Sequence, residues 1–105
     1  MLLASLLQAF FTERLQRQRR ASEDTIAAYR DAFRLLLGFA QQRLGTPPSS
    51  LSITDVDVDL VVAFLEHLEK VRGNKVRTRN ARLAAIRSFF KFVALQEPAA
   101  SATCQ

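Results

Sequence analysis

Leu3, Leu6, Leu7, Phe10, Phe11 and Leu15 recur at three- and four-residue intervals, which predicts a first helix over roughly residues 3–19 with one broad apolar stripe. Glu13 and Arg17 stand four apart, in the favourable order for a helical ion pair. After Arg19-Arg20-Ala21, Ser22 has the chemistry of an N-cap, and Glu23 and Asp24 put negative charge in the first turn of a second helix. That helix runs to about Arg43, with Ile26, Tyr29, Phe33, Leu36, Leu37 and Ala40 facing inward. Gly45 ends it, and Thr46-Pro47-Pro48-Ser49-Ser50 is a loop.

From Leu51 onward the period is ambiguous: Ile53, Val56 and Val58 alternate like a strand. Val61, Phe64, Leu65, Leu68 and Val71 continue at helical spacing, however, and no second strand is available to pair. A third helix from about Val58, capped by Asp57, therefore fits better. Arg72-Gly73-Asn74 breaks the chain again. A fourth helix over about Val76 to Leu95 carries Leu83, Ile86, Phe90 and Val93 at helical spacing, and Pro98 prevents its continuation. The pattern is all-α, with residues 1–97 as one domain and 98–105 as the start of a linker or a frayed tail.

A length of 105 residues suits one domain with a real core, and scarce glycine and proline agree with helix. The formal net charge of +5 conceals a strong asymmetry. Residues 54–69 hold five acids and no Lys or Arg, whereas Lys70 to Lys91 hold eight cations and no acid. Cys104 is the single cysteine, so an intrachain disulfide is impossible and a reducing, cytoplasmic setting is the simplest expectation. The apolar opening Met1–Leu7 lacks a basic flank and runs into helical Glu13, Arg14 and Arg17, which argues against a targeting segment. No apolar run is long enough to span a bilayer, and a membrane partner is not expected.

Candidate chemistry narrows quickly. Asp55, Asp57, Asp59 and Glu66 reproduce the carboxylate spacing of an EF-hand loop, but Leu60 stands where the sharp turn needs glycine. Helix capping explains these aspartates instead. His67, the only histidine, has no second histidine or nearby cysteine to share a metal and reads as an exposed helical residue. Tyr29 falls in an apolar stripe and reads as packed. No nucleophile–base pair and no glycine-rich phosphate loop can be assembled, so neither a catalytic site nor a cofactor is expected.

The basic run is different, because it is both helical and cationic. Arg77, Asn80, Ala84, Arg87 and Lys91 fall within about 80° of one another on a helix, beside the apolar stripe. Lys75, Arg77, Thr78, Arg79 and Arg82 crowd the first turns, where cations oppose the helix dipole and have no acidic neighbours in sequence. A polyanion explains that cost: free N–H groups and arginine forks would both address phosphate. Arg17, Arg19 and Arg20 would extend the surface.

The segment Ser22-Glu23-Asp24-Thr25-Ile26-Ala27-Ala28-Tyr29-Arg30, followed by Phe33 and Phe39, resembles the opening of the core-binding domain of tyrosine recombinases, the phage integrases and Xer-type recombinases. Ile53-Thr54 and Phe64-Leu65 match the third-helix pattern of that family. Thr78-Arg79-Asn80-Ala81-Arg82-Leu83-Ala84-Ala85-Ile86-Arg87-Ser88-Phe89-Phe90-Lys91-Phe92 is similar to its "T-x-x-R-L-x-A-I-R-x-F-F-x-F". The likeness runs from residue 1 to about 96.

The resemblance implies a SAM-like four-helix domain of two crossed helical hairpins that grips one face of double-stranded DNA. It implies DNA contacts by Ser22, Thr25 and Ala28 on the second helix. On the fourth it implies Arg77, Thr78, Ala81 and Ala85, with Arg79, Arg82 and Arg87 on or near phosphates, and the charge pattern adds Lys75 and Lys91 as DNA-binding candidates. The alanines can touch a thymine methyl but cannot hydrogen-bond a base edge, so modest specificity is expected. In the family the catalytic tyrosine, arginines, lysine and histidines belong to a domain that would begin after Pro98. The expectation is a chain that binds DNA in recombination or integration and cuts nothing by itself. It would be a monomer without DNA and could meet neighbouring recombinase protomers on it. The other classes open to these residues are a helical protein–protein module with a basic docking face and a small standalone DNA-binding regulator.

Overall fold

The computed structural model describes residues 1–96. The first helix, α1, spans Leu3–Ala9 and continues without a break into a π-helical segment, Phe10–Gln18. Helix α2 spans Glu23–Leu44; the Ser22 hydroxyl accepts from the Thr25 amide at 3.1 Å, as a Ser cap should. Gly45, at φ 69°, takes the left-handed conformation that closes α2, its amide donating to the Gln41 carbonyl at 2.8 Å.

Two single 3-10 turns, Pro48–Ser50 and Ile53–Asp55, lead to α3, Val58–Lys70. Two of the aspartates that mimic a calcium loop accept from backbone donors. The Asp55 carboxylate accepts from the Ser52 amide at 2.8 Å and that of Asp57 from the Leu60 amide at 2.9 Å. No group of potential metal ligands exists among the described residues. Helix α3 closes through left-handed Gly73, across which the Asn74 amide reaches the Leu68 carbonyl at 2.9 Å. Helix α4 then spans Val76–Gln96. The linker or tail expected at 98–105, and Cys104 within it, lie outside the described residues.

The first helix departs from the α-helical expectation. Its apolar stripe was read at α-helical spacing throughout, yet residues 10–18 wind with i→i+5 geometry. The Thr12 hydroxyl donates to the Gln8 carbonyl, an acceptor that in an α-helix belongs to the Thr12 amide. The wider turn places Phe10 and Leu15 in one line, both fully buried, while Phe11 is only half-buried.

The first helix meets α2 through Phe10 against Tyr29 and Phe33, α3 pairs with α4, and α4 packs across the π segment, α2 and α3. Among the described residues no strand forms; one isolated bridge joins Leu2 to Ser52, and the Leu3 amide donates to the Leu51 carbonyl at 2.9 Å. The N-terminal leucines thus serve the core: Leu3, Leu6 and Leu7 are buried. Phe10 is the hub, edge-on to Phe11, Phe33 and Phe89 at 5.7, 6.1 and 5.6 Å and stacked on Tyr29 at 6.2 Å.

That aromatic centre turns α4 away from the stripe expected for it. Ala85, Ile86, Phe89 and Phe92 are buried, whereas Leu83, Phe90 and Val93 are half-buried flanks. Val71, counted in the α3 stripe, lies beyond the helix end and is largely exposed. His67 is half-buried rather than exposed, its ring 5.1 Å from that of Phe39. No described helix is long and apolar enough to cross a membrane.

Candidate nucleic-acid interface

The outward face of α4 carries what the helical arithmetic put there: Arg77, Asn80, Ala84, Arg87 and Lys91 are all exposed. No acid lies in the first turn of α4 to offset the amides and cations there. The α2–α4 crossing forms a cleft of about 380 Å³ lined by Ala28 and Tyr29 of one helix and Arg77, Thr78, Ala81 and Arg82 of the other. Candidates drawn from two distant stretches of sequence therefore meet in one place. Asp31 also lines this cleft, its carboxylate engaged by the Arg34 guanidinium at 2.9 Å. Ser22 and Thr25 are exposed at the start of α2 and joined to each other by a 3.0 Å hydroxyl hydrogen bond.

Two of the candidates do not fit the part expected of them. Ala85 is 1% exposed, because its methyl faces the aromatic core, so it cannot reach a ligand from this position. Arg79 is not a cation without a partner. Its Nη1 donates to Glu69 of α3 at 3.0 Å and its Nη2 to Asn80 at 3.1 Å, so it pins α3 to α4 and much of its charge is compensated. The local sequence shows no acid near Arg79; the α3–α4 hairpin supplies one from ten residues upstream. Arg82 is half-buried and lines the cleft, and its buried Nε has no partner among the described residues. Lys75 is exposed, and its carbonyl accepts from the Arg79 amide at 3.0 Å, which starts the helix.

A second, larger cleft of about 1020 Å³ lies between the π segment and α4. It brings Arg14 and Arg19 of the first helix and its exit against Arg87 and Lys91 of α4, with Tyr29 and Asn80 at the side nearest the crossing and no acid in its lining. The Arg14 guanidinium lies over the Phe92 ring, 5.7 Å from its centre, and Arg19 donates to the Ser88 hydroxyl at 3.3 Å. Both contacts pre-orient the side chain without neutralising it. Arg14 escaped the sequence reading because α-helical spacing sends it away from Arg19; only the i→i+5 winding aligns them. Tyr29 lines both clefts, so the packed tyrosine also forms the ridge between them.

The family model that describes the N-terminal, SAM-like domain of phage integrase matches residues 8–97. The chain belongs to this family. Two relatives from Sinorhizobium fredii (strain NBRC 101917 / NGR234) are similar to it over nearly its whole length. One, named "Putative integrase/recombinase y4rC", is 52% identical over 103 residues, covering 98% of this chain and 31% of the relative. The other, named "Putative integrase/recombinase y4rD", is 50% identical over 105 residues, covering 100% of this chain and 37% of the relative. The chain thus spans about a third of the length of the curated relatives it matches. No solved structure matches it. This integrase SAM-like domain is all-α, and its exposed cations gather where α4 crosses α2 and the π segment.

Proposed function

We propose that this domain grips double-stranded DNA as one arm of a longer site-specific recombinase, and that strand cleavage is done by other parts of that protein. The observation that carries this reading is the acid-free cleft with Arg14, Arg19, Arg87 and Lys91, which shares Tyr29 with the cleft at the α2–α4 crossing. Uncompensated guanidinium groups held apart by helices suit successive phosphates, and the first turn of α4 adds its free amides and dipole. In this reading Arg77, Arg82, Arg87 and Lys91 supply affinity together with Arg14 and Arg19. Ser22, Thr25 and Thr78 fix the register, and Ala28 and Ala81 allow close approach to base edges. Exposed alanines give little hydrogen-bond readout, so site choice rests chiefly on shape and on the partner domain. The relatives' names support a role in DNA recombination or integration for the whole protein.

Fluorescence anisotropy of a labelled duplex, titrated with the 105-residue chain over a range of salt concentrations, tests the reading. If the six named cations each neutralise one phosphate, log K falls against log salt with a slope of roughly −5.4. A flat response, or equal affinity for an acidic polypeptide, would overturn it.

A further inference from the structure

A third concave surface lies along α4, facing α3, and shares only Leu83 and Arg87 with the cationic cleft. This groove, about 640 Å³, is floored by Val58, Val61, Val62, Leu65, Leu83 and Phe90. Val58 is 77% and Val62 49% exposed, an uncommon placement for valines four apart on one helix face. Acids border it on the α3 side: Asp57 in the lining, with Asp59 and Glu66 exposed on the same helix. Arg87 closes the α4 rim.

The opposite chemistry occurs on the same molecule. The α3–α4 turn exposes Val71 at 72% and Val76 at 61%, beside exposed Lys70 and Arg72. Two valines with cations around them match two valines with acids around them. The turn and the exposed valines of the groove lie at opposite ends of α3, whose 13 residues span about 20 Å, so one copy cannot fill its own groove.

We infer that the α3–α4 groove receives the α3–α4 turn of a second copy of this chain, head to tail. Val71 and Val76 enter between Val58, Val62 and Phe90, and Lys70 and Arg72 settle on the Asp57, Asp59 and Glu66 side, away from Arg87. Such a contact is heterologous: each copy keeps one free groove and one free turn, so copies can add in a row. The apolar area is small and the charges are exposed, which makes the contact weak and salt-sensitive. Val58, Val62 and Val71 lie outside the proposed DNA surface, and the association is measured without DNA, so the two proposals fail separately.

Sedimentation of the 105-residue chain without DNA provides the test. At low ionic strength the average mass should rise with concentration and return to that of the monomer in high salt, association weakening at least about tenfold between ~0.05 and ~0.5 M. Val62→Lys, which spoils only the groove, and Val76→Asp, which spoils only the turn, should each remain monomeric. Mixed together, they should form a one-to-one dimer that grows no further, since one intact groove meets one intact turn. Asp59→Lys and Lys70→Glu provide a second such pair that leaves the valines untouched. A wild-type chain that stays monomeric at low salt, or mixtures of both pairs that fail to pair, would overturn the inference.

Discussion

Arg14 and Arg19 stand five residues apart and line the same cleft, one braced over the Phe92 ring and the other on the Ser88 hydroxyl. On an α-helix, positions five apart point about 140° away from each other. The π winding of residues 10–18 removes that divergence, and it does so for Phe10 and Leu15 as well. One local change of winding therefore fills the core with one pair and arms the cleft with the other. The Thr12 hydroxyl on the Gln8 carbonyl is the local contact that competes with α-helical pairing.

If the cleft follows DNA phosphates, Arg14→Ala and Arg19→Ala each remove one phosphate contact. Each should reduce the salt slope of duplex binding by about 0.9, weakening all sequences alike. Arg14→Ala should also cost about 0.5–1 kcal/mol of stability through the lost contact with Phe92. Arg19 is exposed and makes one long hydrogen bond to half-buried Ser88, so its replacement should leave the melting temperature nearly unchanged. Anisotropy at several salt concentrations and a thermal melt separate the two effects. A salt slope that stays constant in both variants would remove the cleft from the DNA path.

Arg79 and Glu69 make the opposite kind of prediction. Both side chains are about one-third exposed, so their ion pair should contribute under about 1 kcal/mol in a double-mutant cycle. Because Glu69 compensates Arg79, Glu69→Gln should raise duplex affinity a few-fold, whereas Arg79→Ala should cost less affinity than Arg77→Ala. Equal losses from Arg77→Ala and Arg79→Ala would show that the ion pair opens when DNA arrives.

The helices, their caps and most of the core were legible in the sequence because each rests on local chemistry. Ser22, Asp57, Gly45 and Gly73 act within a few residues of themselves, and the spacing of Phe33, Leu36 and Ala40 needs only one helix. What the sequence concealed depends on neighbours across the fold. The Arg79 partner sits on another helix, His67 is covered by Phe39, and the buried face of α4 is set by Phe10 and Phe33 rather than by its own apolar count. Arg14 was hidden for a different reason: helical arithmetic assumes one period, and residues 10–18 use another.

Neighbouring alanines expose this distinction to measurement. Ala84 is exposed on the cationic face and Ala85 is 1% exposed in the core. Ala84→Gln should change stability by no more than about 0.5 kcal/mol and alter only binding. Ala85→Leu should overpack the region around Phe89 and Phe92 and cost about 1–3 kcal/mol. Urea unfolding midpoints check the pair, and a tolerated leucine at position 85 would mean that α4 can rotate and that its cationic strip is not fixed.

Arg20 stores strain at the exit of the first helix. It is the only described non-glycine residue with positive φ, at 48°, a conformation that costs an L-residue roughly 1–2 kcal/mol. The strain is imposed from both sides, because the Arg19 amide is held by the Arg14 carbonyl at 2.9 Å and the Ala21 amide by that of Leu15 at 2.8 Å. Arg20→Gly relieves it but adds about 0.5–1 kcal/mol of backbone freedom to the unfolded chain. The net expectation is a gain of about 0.5–1 kcal/mol, raising the melting temperature by a few degrees in a domain this size. Arg20→Ala keeps the Cβ and should gain nothing. A matching rise in the alanine variant would assign the effect to lost charge repulsion among Arg17, Arg19 and Arg20, and the backbone would then carry no strain worth relieving.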